Sequence, residues 1–291
     1  MKILVLGSKG QLGCCLVDQL RDKDFEVIFT SRSEIDMVDL EEVKISITES
    51  NPNVVINATA YTAVDKAEDD KQEAAKINHF AVANVAKTCN EIGCWLIHIS
   101  TDYVFDGAAS LPYDENSETN PQCVYGDSKL KGELAIQASG CRYLIIRTAW
   151  VYSEYGNNFL KTMLRLGADR DELSIVGDQI GCPTYAQDIA KSIVSILSFL
   201  DLEGSSSGIY HYCGDEPCSW YDFARAIFLE AGMHGLKTPS YVKSIKTSDY
   251  PTPAIRPAYS VLDCSKIDSC FDVTSASGRD DIKIVIDRFQ G

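Results

Sequence analysis

The sequence of 291 residues lacks any hydrophobic run of the length that a membrane-spanning helix needs, about 20 apolar residues. No membrane span is therefore expected. The chain also lacks an excess of positive charge, since its formal net charge is −15 at pH 7. A nucleic-acid surface needs a basic patch to neutralise phosphates, so nucleic acid is not an expected partner. Any anionic ligand must be bound by locally placed groups.

Two further signals are missing, an apolar leader with a cleavage site after Met1 and a repeated Cys-x-x-Cys motif. We therefore predict a cytoplasmic protein. The eleven cysteines are scattered, and pairs such as Cys213 and Cys218 do not match common zinc spacings. This pattern favours reduced, packed thiols. The composition, 45% hydrophobic and 24% charged, is globular and supports one large domain or two.

A glycine turn directly follows the first predicted strand. Residues 2–6 are apolar, and Gly7-Ser-Lys-Gly10-Gln-Leu-Gly13 precedes a helix-like run over 14–21. Glycines at these positions let the chain turn tightly, approach a pyrophosphate and pack helix against sheet, with the phosphates at the helix N-terminus. We predict a dinucleotide site here, with a purely structural turn as the alternative because the spacing is Gly-x-x-Gly-x-x-Gly.

The end of the second predicted strand, residues 25–30, lacks the acidic residue that binds free ribose hydroxyls. Arg32 follows instead. A guanidinium can pair with a 2′-phosphate, so the sequence favours NADPH over NADH, although NADH remains possible. An ordinary surface arginine is the alternative.

A phenol and an ammonium are paired further along the chain. A spacing of four puts Tyr125 and Lys129 on the same face of a predicted helix. A nearby cation favours the phenolate and would lower the pKa of this tyrosine from its ordinary value of about 10, which suits a general acid. Residues 95–99 predict a buried strand whose end presents Thr101 to the same crevice, where it could share the oxygen that Tyr125 protonates. A chance pair and a surface threonine are the alternatives.

Strand-like runs alternate with helical patterns through the first half. This rhythm predicts an α/β fold, a Rossmann-type doubly wound parallel sheet covered on both faces. We predict a dinucleotide-binding domain over 1–150 and a smaller, mainly substrate-binding α/β region over 151–291, with some elements returning to the first domain. Other predictions are a long helical region over 64–91, an apolar helix over 184–200 and a flexible connection over 204–208. Arg256 is a candidate for binding a substrate phosphate.

Together these residues resemble the extended short-chain dehydrogenases/reductases, in particular the branch that reduces dTDP-linked 4-keto sugars. The likeness runs nearly end to end. It is carried by residues 7–13, 57–68, 100–105, 124–129, 147–152, 157–159 and 256–260.

The resemblance implies hydride transfer from a nicotinamide to C4 of a dTDP-bound 4-keto sugar. Tyr125 would protonate the alkoxide, Lys129 would bind the nicotinamide ribose, and Thr101 would hydrogen-bond the developing oxyanion. Thr101 and Asp102 would meet the sugar and Trp150 would line its pocket. The implied dinucleotide contacts, besides Tyr125 and Lys129, are Gly10, Gln11, Leu12, Asp39, Leu40, Ala60, Tyr61 and Thr62.

Two positions depart from the family pattern. Some members join subunits through a magnesium ion held by glutamates, but Cys15 and Gln187 stand where the acids are expected. A thiol and an amide are poor magnesium ligands. We therefore predict no metal, and a monomer or weak homodimer without a bridging ion.

Two rival functions share this fold. A sugar-nucleotide dehydratase or epimerase would keep the tyrosine and lysine, but dehydratases of this group carry an acid where Tyr103 stands. A regulatory protein resembling the β subunit of methionine adenosyltransferase would bind NADP and serve a partner enzyme. The intact set of Thr101, Tyr125 and Lys129 weighs against that reading.

Overall fold

The structure, a computed structural model, describes residues 1–200 and 207–290, so residues 204–206 of the connection predicted over 204–208 lie outside the described residues. The apolar run at the start of the chain forms the first strand, as predicted. The strands are β1 (Lys2–Leu6), β2 (Glu26–Thr30), β3 (Val54–Asn57), β4 (Trp95–Thr101), β5 (Arg142–Thr148), β6 (Val151–Tyr152), β7 (Glu172–Val176), β8 (Ile180–Gly181), β9 (Thr184–Tyr185), β10 (Gly208–His211), β11 (Cys218–Ser219) and β12 (Tyr241–Ile245).

Two predicted helices are divided differently in the structure. The region over 64–91 is interrupted at residues 68–70 and contains a π-helical turn, Lys76–Phe80. The helix predicted to begin at 184 begins two residues later because 184–185 pair with β6. The helices are α1 (Gln11–Leu20), α2 (Leu40–Ser50), α3 (Val64–Ala67), α4 (Lys71–Ala75), α5 (Ala81–Ile92), α6 (Val124–Ala138), α7 (Phe159–Asp169), α8 (Ala186–Leu197), α9 (Trp220–Met233), α10 (Ser265–Phe271) and α11 (Ile282–Gln290).

A six-stranded sheet with the order β10-β5-β4-β3-β1-β2 organises the molecule, and all of its pairings are parallel. The strand order reverses between β1 and β3. In doubly wound sheets a crevice opens at such a switch point, outside the carboxyl ends of the strands. The predicted Rossmann-type architecture is confirmed, and the switch point lies beside the glycine turn.

Both faces of the sheet are covered, which explains why its strands read as continuous apolar runs. On one face α1 and α8 pack together over β1 and β3. On the other face α2, α5 and α6 bury residues such as Val43, Val85 and Ile136. Strand β10, from the second half of the chain, pairs with β5. The division of the chain at residue 150 stays a prediction.

A second apolar cluster joins α7, α9 and α11 to β7, which pairs in parallel with β12. Phe223 and Ile227 of α9 are fully buried at its centre. Among the described residues, no helix combines the length and apolarity that crossing a bilayer requires.

Candidate active site

The glycine turn after β1 has the backbone geometry that only glycine accepts easily. Gly7 has a φ of +89°, and a Cβ atom at Gly13 would lie 2.0 Å from the carbonyl oxygen of Gly7. The turn borders a cavity of about 320 Å³. A cradle this close to the backbone fits a dinucleotide pyrophosphate at the N-terminus of α1. The cavity is lined in part by Gly7, Lys9, Gly10, Thr30, Ser31, Arg32, Ala58, Thr59 and Ala60.

Two exposed cations face this cavity. Arg32 lies there as the sequence predicted, and Lys9, inside the glycine turn, is a second cation that the prediction missed. Nearby, Glu34 accepts hydrogen bonds from the backbone N–H and the hydroxyl of Ser31 at 2.8 and 2.7 Å. These bonds lower the pKa of Glu34, so it stays ionised. The end of β2 therefore has an acid as well as cations.

The other predicted dinucleotide residues have contacts within the protein. Asp39 caps α2 by accepting from the N–H of Glu42 at 3.0 Å, and the Gln11 side chain accepts from Ser153 and Asn158 at 3.0 and 2.8 Å. Their contact with a dinucleotide stays a prediction. Of the remaining members, Leu12 is buried, Leu40 and Thr62 are exposed, and Tyr61 is partly exposed and bound through its N–H to Asn78.

Tyr125 and Lys129 lie in the first two turns of α6, as the spacing predicted. The Glu68 carboxylate accepts a hydrogen bond of 2.8 Å from the first backbone N–H of α6, which fixes where the helix begins. A Cβ atom at Gly126 would lie 2.2 Å from the carbonyl oxygen of Tyr103. This close approach sets α6 directly over the turn that follows β4.

Lys129 does not act on Tyr125 in the way the sequence predicted. Its buried Nζ donates to the carbonyl oxygen of Ile99 at 2.6 Å and lies 3.2 Å from Nε2 of His98. Burial lowers the pKa of Lys129 to about 8, against an opposing effect of Glu133. Burial raises the pKa of Tyr125, and a hydrogen bond with Thr101 only partly offsets this. The predicted lowering of the Tyr125 pKa is wrong for the protein alone, because the ammonium is turned toward β4.

Thr101 ends β4 and faces α6, as predicted. Its Oγ1 donates to Oδ1 of Asp102 at 2.9 Å and accepts from the N–H of Tyr103 at 3.2 Å. Asp102 is only 2% exposed. Burial raises its pKa to about 6, and neighbouring hydroxyl and backbone N–H groups only partly oppose this effect. A hydroxyl, a phenol and a buried carboxyl therefore share one corner of the crevice.

A buried ion pair that the sequence analysis missed holds this corner in place. Glu133 of α6 and Arg147 of β5 are joined by several hydrogen bonds, the shortest 2.6 Å from Nη2 to Oε2. The hydroxyl of Ser100 in β4 also donates to Glu133. One carboxylate thus links α6 to two adjacent strands. Removing one partner of such a pair leaves an uncompensated buried charge.

Trp150 and Arg256, the other two predicted substrate residues, contact side chains of the protein. Trp150 has a φ of +47° and stacks on Trp220, with ring centroids 3.4 Å apart and planes at 5°. Arg256 forms an ion pair with Asp65, with 2.8 Å between Nη2 and Oδ2. Its guanidinium therefore already has an acidic partner in the protein alone. Their contacts with a substrate stay predictions.

The two positions that depart from the family pattern lie close to Asp18. Cys15 is fully buried, and burial, aided by Glu154 and Asp18, raises the pKa of its thiol. The Gln187 amide donates to Asp18 at 3.0 Å. The expectation of no bridging metal and of a monomer or weak homodimer stays a prediction.

A doubly wound sheet, a glycine turn at its switch point and a threonine, tyrosine and lysine beside it define the class of extended short-chain dehydrogenases/reductases. A model of the protein family described as RmlD substrate binding domain matches residues 1–290. The chain belongs to this family.

Named relatives agree with that placement. The dTDP-4-dehydrorhamnose reductase of Aggregatibacter actinomycetemcomitans is 45% identical over 276 residues, 94% of each chain. The crystal structure of a dTDP-4-dehydrorhamnose reductase from Clostridium acetobutylicum has a TM-score of 0.93 at 40% identity and covers 100% of both chains. That of the Bacillus anthracis enzyme in complex with NADP has a TM-score of 0.89 at 34% identity, covering 99% of this chain and 98% of that one.

Proposed function

We propose that this chain reduces the C4 ketone of dTDP-4-dehydro-6-deoxy-L-mannose, also called dTDP-4-dehydrorhamnose, to dTDP-L-rhamnose with NADPH. The observation that carries the proposal is the meeting of Thr101 and Tyr125 at the end of β4, on the same edge of the parallel sheet as the glycine turn that follows β1. Relatives that share 45% and 40% of their residues with this chain bear the name of that reductase.

Bound NADPH supplies the hydride. The turn from Gly7 through Gly13 binds the pyrophosphate, and Arg32, with Lys9 beside it, binds the 2′-phosphate. Burial lowers the pKa of Lys129 to about 8, so its side chain is still an ammonium at pH 7 and donates a hydrogen bond to the nicotinamide ribose.

The chain's own residues complete the reduction with a proton and fixed donors. Tyr125 passes its phenolic proton to the C4 alkoxide, and Thr101 donates a hydrogen bond to the same oxygen. A buried tyrosine of raised pKa keeps its proton until an alkoxide forms, so it does not lose that proton to solvent beforehand. Asp102 and Trp150 contact the sugar, and Arg256 is released from Asp65 to reach a phosphate of dTDP.

The test follows NADPH absorbance in the presence of dTDP-4-dehydro-6-deoxy-L-mannose. We expect turnover by the wild-type protein and loss of turnover in Tyr125→Phe. Tyr103→Phe is the matched control. The ring centroids of Tyr103 and Tyr125 lie 5.5 Å apart, and the Tyr103 hydroxyl has no proposed role in the reaction. Equal rates for wild type and Tyr125→Phe would refute the assignment of the acid. No turnover at all, together with co-purification of a partner enzyme, would favour the regulatory alternative.

A further inference from the structure

One hydroxyl group in the site, that of Thr101, has a single hydrogen for two acceptors, Oδ1 of Asp102 and the phenol oxygen of Tyr125. Oγ1 of Thr101 has one hydrogen and two acceptor lone pairs. The N–H of Tyr103 occupies one lone pair at 3.2 Å, and the hydrogen points to Oδ1 of Asp102 at 2.9 Å. A hydrogen committed to Asp102 is not available for an oxyanion on a substrate.

The proposed reduction needs the hydrogen of the Thr101 hydroxyl to point at the C4 oxygen of the substrate. An alkoxide at C4 is stabilised only by donors, and Thr101 is the donor beside Tyr125. An ionised Asp102 would compete for the Thr101 hydrogen and would place a second negative charge close to the developing one. The arrangement therefore favours reaction only when this carboxyl is neutral.

The surroundings of Asp102 suit a neutral carboxyl. The residue is 2% exposed, its Oδ2 makes no hydrogen bond of ordinary geometry with a described residue, and its hydroxyl neighbours are Thr101 and Ser260. A buried charge without full pairing is unfavourable, whereas a protonated carboxyl is tolerated. The titratable groups that face it, Tyr103 in the same turn and Tyr125 on α6, are neutral phenols whose pKa values burial raises. Burial likewise raises the pKa of Asp102, to about 6.

On the basis of the proposed function, we propose that Asp102 acts in its protonated form as a positioning residue, donating its carboxyl hydrogen to Oγ1 of Thr101. Thr101 then accepts from Asp102 and from the Tyr103 N–H, and its own hydrogen points at the C4 oxygen. All three hydrogen-bonding positions of the hydroxyl are used. Asp102 keeps its proton throughout, because the proton delivered to the alkoxide comes from Tyr125.

The test compares kcat for NADPH oxidation between pH 5.5 and 8.5 in wild type, Asp102→Asn and Asp102→Ala. In wild type, kcat falls about tenfold per pH unit above the pKa of Asp102 in the complex. The asparagine amide is a neutral donor at every pH, so this variant loses the alkaline decline. The alanine variant has no donor, and we expect its kcat at pH 8 to be at least about a hundredfold below that of the asparagine variant.

A double variant separates positioning from general structural damage. In a Thr101→Val background, Asp102→Asn should leave the pH profile unchanged, because the carboxyl acts through the Thr101 hydroxyl. The exposed Asp114→Asn is the control for removing an unrelated carboxylate. An Asp102→Asn variant that declines with pH as wild type does, or that is as inactive as Asp102→Ala throughout, would overturn the proposal.

A second measurement keeps this test independent of the proposed function. The ¹³C resonance of the Asp102 carboxyl, identified by its absence in Asp102→Asn, gives the pKa directly without a substrate. A value more than one unit above that of an ordinary aspartate supports the proposal, and an ordinary or lower value overturns it. Failure of wild type to oxidise NADPH with the sugar nucleotide would count against the proposed function alone.

Discussion

The glycine-turn cavity and the proposed reaction centre lie along the same edge of the sheet, yet they are built in opposite ways. The cavity is lined by backbone and by exposed cations, Lys9 and Arg32. In the centre, Thr101, Asp102 and Lys129 are each at most 5% exposed. Exposure leaves the cations accessible to a phosphate, whereas burial shifts pKa values and strengthens electrostatic effects. Substitutions in the two regions should therefore differ in what they change.

The largest effect is expected at Tyr125. Tyr125→Phe removes the proton donor while keeping the ring, so we expect kcat to fall by about 10³-fold with little change in the affinity for NADPH. Steady-state kinetics and fluorescence titration with NADPH measure the two quantities separately. A comparable loss of NADPH affinity would contradict the separation of the two regions.

Gly13→Ala should disrupt the cavity through its backbone. The new Cβ atom would lie 2.0 Å from the carbonyl oxygen of Gly7, so the turn must shift. We expect a loss of roughly 3 kcal/mol in the free energy of unfolding, measured with urea, together with weaker NADPH binding. Gly232→Ala is the matched control, since no atom lies within 4 Å of its added Cβ. That helical substitution should stabilise the protein by about 0.5–1 kcal/mol. Equal effects at the two glycines would contradict the close approach at Gly13.

The burial of Asp102 should make the free energy of unfolding depend on pH. Its folded pKa of about 6 lies above its ordinary value of 3.8, so the folded state binds more protons between these values and stability falls as pH rises through them. Asp102→Asn removes this penalty. Relative to wild type, the variant should gain up to about 3 kcal/mol in unfolding free energy between pH 4 and pH 7. A difference that does not change with pH would show that Asp102 titrates normally.

Arg32 should affect only the choice of cofactor. Arg32→Ala removes a cation from the cavity, so we expect the KM for NADPH to rise about tenfold while that for NADH changes little. Arg21→Ala, at an exposed position after α1, is the control. Equal increases for both cofactors would show that Arg32 does not contact the 2′-phosphate. Such a result would direct attention to Lys9 and Glu34.

Local motifs explain what the sequence could predict. The glycine turn, the strand before it and the helical spacing of Tyr125 and Lys129 are each encoded within a few residues. The sheet architecture followed from the alternation of apolar runs and helices. These are the features whose structure depends least on distant contacts.

Contacts between residues far apart in the chain explain what the sequence could not predict. Glu68 caps α6 from 56 residues away, and Ser100 meets Glu133 across 33 residues. The direction of the Lys129 side chain depends on the carbonyl oxygen of Ile99, which no spacing within α6 reveals. The family-specific segment that contains Glu68 was the available signal, but a sequence pattern cannot show that its carboxylate reaches a helix terminus.

The pairing of β10 with β5 constrains how the protein can be dissected. Because β10 (Gly208–His211) covers the edge of β5, a fragment ending near residue 150 would expose that edge and the apolar side chains Leu144 and Ile146. It would also lose α8, whose residues Ile189 and Ile193 belong to the core beneath the first strands. Such a fragment should aggregate rather than bind a nucleotide, so a deletion series must retain residues well past β10.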